Sequence, residues 1–152
     1  MGRYLREFSL GERFETRART ITEHDIHQFA QFTGDWNPVH IDAATAEAQH
    51  GGRIAHGPMF PGIAFGLLSQ FNLVEGSVIA LKDMAWEFLA PVHIGDTVRV
   101  AMEVTSISPH PSRPDRGRIG MRIDVLSQRD VIVNKGTATI VVQTGEGETR
   151  NG

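Results

Sequence analysis

The chain has 152 residues, 40 % of them hydrophobic and 22 % charged, and it has no cysteine. That length suits one domain with its own core, and the lack of thiols excludes disulfides, thiolate metal sites and a cysteine nucleophile. Lysine plus arginine number 15 against 18 acidic residues, so the formal charge is −3. Such a balance leaves no electrostatic footprint for nucleic acid or an anionic membrane.

Arg3, Arg6 and Glu7 place charge where a secretory signal needs an apolar run. The most apolar stretch, 59–74, is interrupted by Pro61, Gly62, Gly66 and Asn72 and is too short and polar to cross a bilayer. The expected location is the cytoplasm. No internal repeat or linker divides the chain, so 1–152 reads as a single domain with a flexible tail over 143–152.

In chain order, 12–21 alternates Phe14, Thr16, Ala18 and Thr20 with charged neighbours and predicts a first strand. Thr22 and Asp25 form a capping box, Ile26, Phe29 and Ala30 follow at helical spacing, and Gly34 is a C-terminal stop; together they predict a helix over 23–33. Asp42 caps a short helix over 43–49. Residues 59–71 predict a third helix, apolar nearly all round and therefore central and buried. Its small residues Gly62, Ala64 and Gly66 offer close approach to a sheet or ligand.

Beyond Gly76 the pattern becomes strand-like. Met84, Trp86 and Phe88 share one face, as do Val98, Val100, Met102 and Val104, then Ile119, Met121, Ile123 and Val125. The run 131–142 is rich in β-branched residues, and 108–117, with Pro109, Pro111 and Pro114, is a turn-rich loop. Alternation with one charged face means antiparallel strands packed on one side. The expected class is α+β: an antiparallel sheet wrapped around one very apolar helix, as in a hot-dog fold.

The densest local signal is Gly34-Asp35-Trp36-Asn37-Pro38-Val39-His40. Pro38 drives Asn37 out of the helical region, so the segment is expected to be stiff and extended. Asp35 and His40 on such a loop can hold one water between them and move its proton; an apolar surround would let the carboxyl donate as well as accept. Equally, Gly-Asp and Asn-Pro are common turn formers, and Asp35 would then only cap the next helix. In 51–59, Gly57 precedes the apolar helix, where its N–H would face a developing oxyanion, or would simply belong to an ordinary loop. His24 and His27 are spaced for a metal but have no third ligand in view, so no metal site is expected. His56 is expected to order its loop. Arg113, Arg116, Arg118 and Arg122 form either a solvated face or a contact for carrier phosphates. No phosphate loop and no nucleophile elbow is present.

Gly34, Asp35, Asn37, Pro38 and His40, then Ile41-Asp42 and Gly52-Arg53-Ile54-Ala55-His56-Gly57, together resemble the MaoC-like (R)-specific enoyl-CoA hydratases. The later Phe88-Leu89, Pro91-Val92 and Ile94-Gly95-Asp96-Thr97 are similar to the same family's segment before its third strand. The resemblance spans residues 2–142. It implies a hot-dog fold, a homodimer or dimer of dimers with a continuous sheet, and an acyl-thioester substrate bound near the dimer interface. It implies reversible addition of water to trans-2-enoyl thioesters with Asp35 and His40 as the catalytic pair. Asn37 would hold the loop and Gly57 would donate its N–H to the thioester carbonyl. Coenzyme A or acyl carrier protein would enter only as part of the substrate, with no metal or redox cofactor, no nucleic acid and no membrane partner. Pro58 departs from the family, where Met often follows the His-Gly pair, and Phe60 and Phe65 suggest short or medium acyl chains. A hot-dog thioesterase and a non-catalytic acyl-thioester-binding or accessory subunit are the alternatives.

Overall fold

The computed structural model describes residues 2–145, and the change of character expected near Gly76 is the main division of the fold. Before it lie a short 3-10 helix (Leu5–Glu7) and four α-helices: α1 (Glu23–Thr33), α2 (Pro38–Ile41), α3 (Ala43–His50) and α4 (Met59–Ser69). After it lie four long strands: β3 (Val78–Phe88), β4 (Thr97–Pro109), β5 (Arg116–Ser127) and β6 (Ile132–Gln143). The two short strands β1 (Arg13–Glu15) and β2 (Arg19–Thr20) precede the helices and both pair with β4. The sheet is antiparallel throughout, in the order β1-β4-β5-β6-β3.

The expected first strand is therefore two pieces rather than one. Between them Thr16 turns inward, and its hydroxyl accepts the Val100 N–H at 3.0 Å, so a side chain replaces part of the ladder. α1 has the expected bounds. Thr22 Oγ1 accepts from the Asp25 N–H, the Asp25 carboxylate accepts from the Thr22 N–H, and Gly34 closes the helix at φ +79°. Asp42 caps α3 through the Thr45 N–H at 2.7 Å.

The core forms where the alternating faces meet. Val100, Met102 and Val104 of β4 pair with Val125, Ile123 and Met121 of β5, and all six are 5 % exposed or less. Burial of each such side chain contributes about 1.5–3 kcal/mol. α4 covers this face with Met59, Phe60, Pro61, Ala64, Leu67 and Leu68. Its outer side is not apolar all round, because Gly62, Gly66 and Ser69 are exposed. Beyond the helix's own backbone and the adjacent residues, no described atom lies within 4 Å of where a Cβ on Gly62 or Gly66 would stand, so close approach falls to the fully buried Ala64 instead. The chain has the α+β hot-dog fold, an antiparallel sheet wrapped around α4.

β3 departs from the one-sided packing of the other strands. Ten of its eleven residues are exposed, and among the described residues it ends the sheet with one edge unpaired. Met84 and Phe88, expected on a packed face, are 49 % and 52 % exposed. The loop expected over 108–117 is shorter, since β4 runs to Pro109 and β5 begins at Arg116. Of the expected tail, Gln143 still belongs to β6 and residues 146–152 lie outside the described part. No described helix is long and apolar enough to cross a membrane.

Candidate active site

Short side-chain to backbone bonds fold the segment after α1. Thr33 Oγ1 accepts the Asp35 N–H, Asp35 Oδ1 accepts the Asn37 N–H at 3.2 Å, and Asn37 Oδ1 accepts the Val39 N–H at 3.3 Å. Asn37 is thus the N-cap of α2, with Pro38 in the first turn, where a missing N–H costs nothing. The expected extended loop is extended only up to Asn37 (ψ 132°); one helical turn then carries His40 back toward the core. Asp35 caps no helix, since Asn37 and Asp42 serve α2 and α3.

His40 is 9 % exposed, and its Nδ1 lies 2.8 Å from the Ile54 carbonyl oxygen. A carbonyl only accepts, so Nδ1 carries the proton and neutral His40 keeps its lone pair on Nε2. His56, fully buried, donates Nε2–H to the main-chain carbonyl of Asp35 at 3.0 Å. The two imidazoles stack with centroids 3.8 Å apart, and Phe29 tilts onto the other ring neighbour at 4.9 Å from His56. His56 Nδ1 is buried with no hydrogen-bond partner among the described residues. Burial holds the His56 pKa below the usual imidazole value and nearby His40 lowers it further, against the opposing pull of the Asp35 carbonyl.

The structure brings Asp35, His40 and His56 together, with side-chain ligand atoms within 4.8 Å of one another. Two imidazoles and a carboxylate are a metal-binding composition, but the stacking opposes it. Near-parallel rings stacked face to face, tilted by only 26°, do not turn two nitrogen lone pairs toward one shared point, as an ion bound in both ring planes requires. Asp35 is exposed, so a single chain does not supply the apolar surround expected for it. His56 was legible only as a loop residue; its place directly before Gly57 was the available signal of a larger part.

A cleft of about 320 Å³ joins the second half of the site. His40 and Gly57 both line it, with Phe60, Phe88, Leu89 and the buried Asn134. Gly57 stands just before the Pro58 cap of α4, and its N–H has no hydrogen-bond partner among the described residues. A Cβ on Gly57 would come within 3.2 Å of the Phe88 ring, so glycine is what admits that ring to the wall. A second, more apolar cavity of about 620 Å³ lies beside α4, lined by Phe65, Leu68, Leu81, Met121 and Ile140. His24 and His27 are exposed on α1 and are not in the group formed by Asp35, His40 and His56. Arg116 pairs with Asp115, and Arg122 with Glu103 and Asp124.

A family model described as the MaoC like domain matches residues 7–118. The chain is 35 % identical over 100 residues to the 3-hydroxybutyryl-CoA dehydratase of Methylorubrum extorquens, covering 65 % of this chain and 62 % of that protein. It is 36 % identical over 93 residues to the (R)-specific enoyl-CoA hydratase of Rhodospirillum rubrum, covering 60 % and 63 %. The chain thus spans about three fifths of the length of these curated relatives. The crystal structure of a MaoC-like dehydratase from Rhodospirillum rubrum superposes with a TM-score of 0.80 at 28 % identity, covering 93 % of this chain and 97 % of that one. A match over most of the sequence and over the whole sheet-and-helix architecture has one meaning: the chain belongs to the MaoC-like dehydratase domain family.

Proposed function

We propose that the protein is a hydro-lyase that adds water reversibly to trans-2-enoyl thioesters, giving (R)-3-hydroxyacyl thioesters. The observation that carries this reading is the meeting of His40 and the unpartnered Gly57 N–H in one cleft, with Asp35 beside His40. Hydration needs a placed water, a group to move its proton and a donor for the enolate oxygen. Asp35 and His40 Nε2 hold the water. As its oxygen bonds to Cβ, the pair takes one proton and returns a proton to Cα, so the enzyme ends in its starting state. Gly57 N–H stabilises the thioester oxygen while it carries charge. Asn37 supports the site by capping the turn that carries His40. No metal or redox cofactor takes part; coenzyme A or acyl carrier protein is the carrier half of the substrate.

The working form is a homodimer. The unpaired β3 edge supports this, because an exposed apolar strand edge is a template for a second copy. Phe88 and Leu89, at the end of that strand, also line the cleft, so the partner would close the site over Asp35. Phe60 in the cleft wall favours short or medium acyl chains, which a panel of enoyl chain lengths tests.

The deciding experiment mixes purified protein with crotonyl-CoA and follows enoyl-thioester absorbance, with a thiol reagent present. Loss of absorbance without free thiol is expected. Release of free thiol would make it a thioesterase and overturn the reading.

A further inference from the structure

We propose that His56 is a positioning residue for the Asp35–His40 pair: its Nε2–H anchors the Asp35 main chain and its ring face fixes the plane of His40. The proposal rests on the hydratase reading for its effect on rate, but its geometry stands alone. His56 is fully buried and touches both members of the pair. One contact is a hydrogen bond of 3.0 Å to the Asp35 carbonyl. The other is the stack at 3.8 Å on His40.

The remaining polar atom of the ring is the telling one. His56 Nδ1 is buried and unpartnered, and an acceptor left in that state is costly. An apolar ring would fill the same space without that cost. A histidine is needed there only if its Nε2–H bond is needed, and that bond runs to the residue whose carboxylate holds the water. The other rings packed on His56 are Phe29 and His40, and the Nε2–H bond goes to the Asp35 carbonyl rather than to either of them. Because the ring is fully buried, with His40 stacked on its face, it acts through Asp35 and His40 and not on the substrate.

Its charge state follows from the same surroundings. A second positive charge stacked on His40 would repel it whenever His40 carries the proton in transit. Burial keeps His56 neutral, and a neutral ring face accommodates an imidazolium as a cation–π partner.

The test compares His56→Phe, which keeps a ring face and loses the donor, with His56→Gln, which keeps a donor and loses the ring. Two readouts are used on the full chain. The first is the carbonyl-carbon resonance of Asp35, which a lost hydrogen bond moves upfield. The second is the split between kcat and KM for crotonyl-CoA. His56→Phe is expected to move the resonance and to lower kcat at least tenfold with KM within about twofold. His56→Gln is expected to return the resonance but only part of kcat, because the ring that fixes the plane of His40 is gone. An unmoved resonance in a folded His56→Phe would overturn the proposal whatever the activity. A moved resonance with unchanged kcat would make His56 a structural residue only and would also overturn it. A wild-type protein inactive on every enoyl thioester would instead overturn the hydratase reading, and the Asp35 resonance would still decide whether His56 holds the loop.

Discussion

The imidazole rings of His40 and His56 lie face to face, 3.8 Å apart and tilted by 26°. Each ring uses one nitrogen to hold a main-chain carbonyl, Ile54 for His40 and Asp35 for His56. The stack therefore ties the turn after α1 to the segment before α4, two stretches that are distant in sequence. Its stability depends on pH with a definite sign. Burial lowers the His56 pKa below 6.5 in the folded chain. Between that lowered value and about pH 6.5 the unfolded chain binds a proton that the folded chain does not, so stability rises with pH there. The contribution is complete above about pH 6.5 and is lost as the pH falls toward the folded value. Thermal unfolding from about pH 8 down to 5 should show a steeper fall in Tm for the wild type than for His56→Gln. Equal slopes would mean that His56 does not titrate differently in the two states.

Asp35→Asn is expected to separate chemistry from stability. The carboxylate is exposed, and its hydrogen bond is a single one from the Asn37 N–H, which an amide oxygen can also accept. The fold should lose less than about 0.5 kcal/mol, as for most surface changes. Activity should fall by about 10²–10⁴, the range for removal of a general acid or base. Calorimetry beside the crotonyl-CoA assay checks both halves. Retained hydration would remove Asp35 from the reaction.

The parts of this fold that were legible in the sequence are those set by local chemistry. Thr22, Asp25 and Gly34 fixed α1 to the residue, because each cap is satisfied within the segment. Alternation in β4 and β5 named the core faces, because one side of each strand is buried while the other is mostly half-buried. What was not legible depends on distant partners. Thr16 breaks the first strand only because Val100 stands opposite. Met84 and Phe88 read as core residues because they alternate, yet they face an edge that the single chain leaves open. At the site, Asp35, His40, Asn37 and Gly57 stood out through their motif, whereas the role of His56 needs the stack, which no spacing reveals.

Gly136 and Trp86 are cross-strand partners in β6 and β3, and the indole covers the glycine so closely that a Cβ there would overlap the six-membered ring. The same indole donates Nε1–H to Asn134 Oδ1 at 3.3 Å, and Asn134 lines the cleft. Gly136→Ala must therefore displace Trp86. The expected cost is about 1–3 kcal/mol, as for other overpacking changes. Tm and tryptophan fluorescence both report it; an unchanged Tm would show that the indole swings away freely.

Val78, Ile79, Leu81 and Met84 are each between 40 % and 49 % exposed on β3, a strand that, among the described residues, pairs only with β6. Left bare, such an edge promotes indiscriminate association, so a second copy pairing β3 with β3 is the ordered way to cover it. Wild-type protein should then run at twice the chain's mass in light scattering. Met84→Lys, which buries an unpaired charge in that seam, should release monomers with unchanged circular dichroism. Because Phe88 joins the same strand to the cleft wall, the monomer should also lose hydratase activity. A Met84→Lys protein that keeps the wild-type mass would place the interface elsewhere. A monomeric variant with full activity would show that one chain completes the site.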